Sequence, residues 1–254
     1  MKKKKFQLQT LSFEVKYSFG NLFFDKLGQA INDIERKYPD WYLSNLSGDG
    51  CTIECHSLRA KVIFSNNKFI FQIDNAYNNK IEDIGSMIND QWKIIRSNFA
   101  VTDFIRTGVR YIYFIPTEST EEAEKIIGNS KLNISIPDQL NNSNFKVKNR
   151  HIVLVITAKD TEYRVSLAGI TRSEAIDPKK LVHDDPRALP RNQQRARAEY
   201  MKFLSRYKAD PMYAVQLDID CVKFDPEQIR PEELVLKNKN FIFENFNNLA
   251  GEIL

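Results

Sequence analysis

Apolar and polar residues alternate along much of this chain, and the alternation gives way to helical spacing at intervals. Leu11, Phe13, Val15 and Tyr17 alternate with Ser12, Glu14 and Lys16, which predicts a strand with one buried face. After Gly20, Phe23, Leu27, Ala30, Ile34 and Tyr38 fall three or four residues apart and line one side of a helix that Pro39 stops. Leu58, Ala60, Val62 and Phe64 alternate again, as do Phe69, Phe71 and Ile73, and the polar turn 65–68 joins them as a hairpin. Residues 51–55 add a short strand before it. Ile81, Ile84, Ile88, Trp92, Ile95 and Phe99 form the stripe of a long helix, and 104–115 reads as a long strand closed by Pro116.

The second half repeats this order. A short acidic helix covers 118–127, and 129–144 is polar and turn-rich. A second hairpin follows, with one strand centred on Ile152–Ile156 and its return at Tyr163, Val165 and Leu167. A basic helix at about 191–207, a strand at 213–222 and a final helix from Pro231 toward Leu254 complete the pattern. Hairpin, helix and strand thus occur twice. The expected fold is α+β: two pseudo-repeated units of antiparallel sheet with helices packed on one face, consistent with an internal duplication. The expected divisions are an N-terminal unit at 1–116, a short helix and polar linker at 117–144, and a C-terminal unit at 145–254.

Composition narrows the class. The chain has 254 residues, of which 42% are hydrophobic and 11% aromatic, enough for a sizeable core. The net charge of +4 is carried formally by the run Lys2–Lys5, so overall charge gives little reason to expect nucleic acid. That run is followed by alternating polar sequence rather than the apolar core of a signal segment, and no stretch has the length of a membrane span. Three cysteines, Cys51, Cys55 and Cys221, are an odd set that suits reduced thiols, so a cytoplasmic location is expected.

Arg106, Gly108 and Arg110 share one face of the long strand. Two forked guanidiniums around a glycine suit an anion, such as a phosphate or carboxylate. Cross-strand pairing with Asp218 and Asp220, which share a face of the strand at 213–222, is the favoured arrangement, since a paired charge avoids the desolvation cost of an isolated one. Those two aspartates also suit a divalent metal in a hydrolase, although further ligands are missing nearby. Cys51, Glu54, Cys55 and His56 contain ligand types, but their spacing matches no four-ligand zinc site, and buried thiols are the simpler expectation. His183 lies in a polar loop before Pro186. No phosphate-cradling glycine loop is present. Arg187, Arg191 and Arg195 are spaced by four, so a helix would stack them where they contact solvent or a phosphate backbone. Tyr111 and Tyr113 are expected in the core.

The stretch Arg106-x-Gly108-Val109-Arg110-Tyr111-Ile112 resembles the R-x-G-L-R-Y strand of a sporadically distributed, uncharacterised bacterial protein family of about this length. Leu217, Asp218, Ile219 and Asp220 and the phenylalanine-rich final helix fit the same resemblance, which spans most of the chain. The chain departs from that pattern with Val109 in place of Leu, Tyr113 in place of a polar residue, and no proline-rich opening. The resemblance implies no established activity. Its patchy distribution implies a mobile or defence-associated setting.

Together these features lead to a non-catalytic interaction protein, working as a homo-oligomer or as accessory subunit of a bacterial antiviral defence complex. No cofactor is called for. Binding is expected at Arg106, Arg110, Arg187, Arg191 and Arg195. The alternatives are a nucleic-acid-binding module built on 187–207 and a metal-dependent hydrolase using Asp218 and Asp220.

Overall fold

The computed structural model describes residues 6–130, 132, 150–172 and 212–246. Nine strands make a single sheet: β1 (Gln7–Tyr17), β2 (Tyr42–Ser47), β3 (Gly50–Cys55), β4 (Ala60–Ser65), β5 (Lys68–Asp74), β6 (Phe104–Thr117), β7 (His151–Ala158), β8 (Thr161–Arg172) and β9 (Met212–Phe224). Their spatial order is β2-β3-β4-β5-β1-β6-β9-β8-β7, and every neighbouring pair is antiparallel. Among the described residues the α-helices are α1 (Phe23–Lys37), α2 (Ile81–Phe99), α3 (Thr120–Gly128) and α4 (Pro231–Phe246). The α+β class expected from the pattern is therefore observed.

The period-two patterning decides which face the helices cover. Leu11, Phe13, Val15 and Tyr17 of β1 are fully buried, as are Val62 and Phe64 of β4 and Phe69 and Phe71 of β5. On the other half Val109, Tyr111, Val165, Ile219 and Cys221 continue the same buried layer. Trp92 of α2 seats on this layer, with its ring centroid 6.1 Å from Tyr17, 5.5 Å from Phe69 and 6.1 Å from Phe104. On the other side of the centre, the Tyr111 hydroxyl donates to the Val235 carbonyl of α4 at 2.7 Å. Phe241 of the same helix stacks on Tyr163 at 4.6 Å. α3 lies over β8, where a side chain at Gly169 would meet Glu124 and Ala123. Helices thus cover one face of the sheet, and the opposite face is where the polar residues of each strand project.

The α2 stripe matches expectation residue by residue. Ile81, Ile84, Ile88, Trp92, Ile95 and Phe99 of α2 are all buried. α3 starts on a Ser119 cap, whose hydroxyl accepts from the Glu122 amide at 3.2 Å, and the Glu122 carboxylate accepts from the Glu118 amide at 2.7 Å.

Three expectations change. Pro116 does not close β6, which runs to Thr117. Pairing with β1 ends at Phe114, so on that side the missing proline N–H leaves no ladder bond unmade. The strand β2 carries polar residues at alternate and adjacent positions and left no apolar signature. The internal duplication is not confirmed, because β1 inserts between β5 and β6 whereas β8 and β9 pair directly. The halves at 1–116 and 145–254 instead share one sheet, joined where β6 pairs β9 from Arg106↔Phe224 to Thr117↔Tyr213. The basic helix expected at 191–207, the loop around His183, most of the expected linker and the last residues of the final helix lie outside the described residues. No helix among the described residues is long and apolar enough to cross a membrane.

Replacing Trp92 by Ala empties the centre of the aromatic layer. The expected loss is about 3–5 kcal/mol in the free energy of urea unfolding. A loss well under 1 kcal/mol would show that the cluster is loosely packed.

Candidate functional site

Two features of the sheet stand out: a charged strip across its polar face and an apolar outer strand. The strip follows from the register. Ser12 of β1 lies opposite Arg110 of β6, Arg110 opposite Asp220 of β9, and Asp220 opposite Arg164 of β8. Since directly opposite residues share a face, these four side chains form one row across the middle of the sheet.

Arg110 does not take the carboxylate directly opposite. Its Nε donates to Asp218 Oδ1 at 2.9 Å and its Nη2 to Asp218 Oδ2 at 2.5 Å, a two-pronged diagonal pair. The expected cross-strand pairing is thus present for Arg110 and Asp218. Arg106 instead turns to β1, where its Nη2 donates to Glu14 Oε1 at 2.6 Å. Hydrogen bonding to Asp218, helped by the nearby Asp220 charge, raises the Arg110 pKa further above its ordinary value. Asp220 behaves differently. Its carboxyl is pushed above the usual aspartate value, first because burial withdraws water from it and then because Asp218 is a like charge nearby, while Arg110 and Arg106 pull the other way.

The gap expected over Gly108 is largely occupied by the sheet itself. A Cβ there would come within 3.2 Å of the Cys221 carbonyl and 3.6 Å of Val222 Cγ2, so glycine eases the close approach of β9. The anion cleft expected between Arg106 and Arg110 is therefore not formed: their guanidiniums are turned to carboxylates on opposite neighbouring strands.

The other ligand types are scattered. Cys51 and Cys55 are buried with the helix-covered layer, and Cys221 is buried beside Tyr111 and Tyr113. Burial pushes the Cys51 and Cys221 thiols up to about 12, which makes them poor nucleophiles and poor ligands. Tyr42 holds His56 and reaches Glu54 Oε2 at 3.5 Å, away from the cysteines. His151 Nε2 and Ser166 Oγ lie 2.7 Å apart on the polar face, a contact that sequence spacing does not reveal. Among the described residues, no three His, Cys, Asp or Glu side chains gather closely enough to hold a metal ion. Arg187, Arg191 and Arg195 lie outside the described residues.

The second feature is β7. It is the last strand at one edge, and among the described residues it pairs only with β8. Ile152 to Ile156 is a continuous apolar run, the pattern of a strand covered on both faces. Yet Val153 is 40% exposed, Leu154 37%, Val155 58% and Ile156 40%. From the register with β8, Leu154 and Ile156 lie on the helix side and Val153 and Val155 on the polar side, so apolar surface is exposed on both faces. Between His151 and Ala158 there is no Asp, Glu, Lys, Arg or Pro, the residues that usually guard an edge. The opposite edge differs. β2 is short, carries Ser44, Asn45 and Ser47, and has a register irregularity between Leu43 and Asn45.

Two substitutions test the strip. Arg110→Lys keeps the charge but loses the fork, and is expected to cost about 1 kcal/mol in urea unfolding at neutral pH. Because the folded chain favours protonated Asp220, its stabilising share is complete at acid pH and is lost as pH rises through the raised pKa. Asp220→Asn is therefore expected to be more stable than the native chain at pH 7, with the gain vanishing below the ordinary aspartate pKa. A less stable variant at pH 7 would mean that attraction to Arg110 outweighs desolvation.

No family model matches this chain, and no curated protein matches it in sequence.

Proposed function

We propose that this chain is a non-catalytic interaction protein that assembles by adding a strand to the β7 edge of its sheet. The observation that carries this reading is the edge run Ile152–Ile156, in which Val153, Leu154, Val155 and Ile156 are exposed. An edge strand presents unpaired N–H and C=O groups at alternate residues, and a partner strand satisfies them while packing its side chains beside those of the edge on both faces. The protein would serve as a homo-oligomer or as an accessory subunit of a bacterial complex. The resemblance of the Arg106–Ile112 strand to a sporadically distributed family favours a defence setting for that complex.

The polar face supports the same reading. Arg106 and Arg110 already have carboxylate partners, so they act first as ties between strands. A metal-dependent hydrolase at Asp218 and Asp220 finds less support, because an ion would have to displace both Arg110 hydrogen bonds to reach Asp218. The nucleic-acid reading rests on 187–207, and no described residue adds to it.

Amide exchange tests this function. In the untagged assembly isolated from its own cells, the β7 amides that point away from β8 are expected to exchange slowly. In the Val155→Lys variant they are expected to exchange quickly, with β1 and β6 unchanged. Fast exchange of those amides in the native assembly would overturn the reading.

A further inference from the structure

The chemistry of β7 selects a partner. Ile152, Val153, Leu154, Val155 and Ile156 read identically in both directions. Antiparallel pairing of this strand with itself about a twofold axis through Leu154 sets Leu154 against Leu154. It also sets Val153 against Val155, and Ile152 against Ile156. Each residue then meets its own kind. Two copies joined about an axis perpendicular to the sheet keep their helix sides together, so opposite residues must differ by an even number of positions. The Leu154-centred register meets that condition and is the one that aligns the whole apolar run with itself. Registers centred on Val153 or Val155 leave part of the run against polar or small neighbours: the first sets Val155 against His151 and Ile156 against Arg150, the second Val153 against Thr157 and Ile152 against Ala158.

Charge points the same way. Like charges directly opposite one another oppose self-association, and the paired segment contains none of Asp, Glu, Lys or Arg. The outermost pair in this register is His151 against Thr157. His151 already contacts Ser166 on its own sheet, so it stays on the polar face without needing a partner in the second copy. The β2 edge lacks both the continuous run and the even register, so the assembly closes at two copies instead of growing into a fibre.

We infer that the occupant of the β7 edge is a second copy of this chain, paired antiparallel and centred on Leu154, giving one sheet continuous through both copies. This inference rests on the strand-addition reading and names the partner it leaves open. The apolar side chains would be covered by identical residues, and the outward N–H and C=O groups of β7 would bond across the axis.

A register-specific cross-link tests it. In Leu154→Cys the two introduced thiols lie directly opposite, within the Cα separation a disulfide needs. In Val155→Cys the introduced thiol faces Val153 and has no thiol opposite. The three native cysteines are buried and stay out of the reaction. The expected results for the purified full-length chain are a dimer by native mass spectrometry, a disulfide-linked dimer on mild oxidation of Leu154→Cys, and none for Val155→Cys. Val155→Lys, which places two lysines near the axis, is expected to weaken the dimer by about tenfold or more while leaving the far-ultraviolet spectrum unchanged. A monomeric native chain would overturn the second-copy inference and leave strand addition to be judged by β7 exchange in the cellular assembly. A dimer that survives Val155→Lys, or that cross-links equally through Val155→Cys, would overturn the register and place the interface elsewhere.

Discussion

The pairing of β6 with both β1 and β9 is the constraint on which the rest of the structure depends. Among the described residues β6 is the longest strand, and its neighbours are the first and last of the described strands. Their ladders place Val109, Tyr111, Ile219 and Phe13 in one buried layer and send Arg106, Arg110, Asp218 and Asp220 to the other face. A slip of one residue in either ladder would exchange those sets, burying charges beneath the helices and exposing the aromatic core. Gly108 allows β9 to approach closely at this junction, and the Tyr111 hydroxyl fastens α4 beneath it.

The polar face shows how charges are kept at low cost. Arg110 with Asp218 and Arg106 with Glu14 tie β6 to both neighbours, and each pair remains partly hydrated at its arginine end. Such pairs contribute modestly to stability, but they also specify which strand lies beside which. Asp220 is the exception. Its carboxyl sits in a desolvated position with mixed charges around it, and its ionisation is disfavoured by the fold. Compared with this paired face, the exposed apolar run of β7 is the feature for which packing among the described residues gives no account.

Much of the fold was legible because burial on one face leaves a periodic trace. The α2 stripe from Ile81 to Phe99 and the β4–β5 hairpin follow from spacing alone. The strand β2 was not legible, since an edge strand with Ser44, Asn45 and Ser47 buries too little to enforce alternation. Strand order was not legible either. The insertion of β1 between β5 and β6 is a long-range pairing, and no local pattern encodes it. The site divided along the same line. Arg110 with Asp218 is legible because alternation puts both charges on one face of their strands, whereas Glu14 as the partner of Arg106 depends on where β1 inserts. The run Ile152–Ile156 was visible as a strand, but its place at the edge needed the topology.

One sheet shared by both halves has a direct thermodynamic signature. Both tryptophans, Trp41 and Trp92, lie in the first half, so their fluorescence reports that half alone. Amide exchange along β8 and β9 reports the other. Urea titration followed by both probes should give one transition with a shared midpoint, since β6 cannot lose β9 while keeping its own core intact. Loss of β8 and β9 protection at a clearly lower urea concentration than the tryptophan signal would contradict a single cooperative sheet.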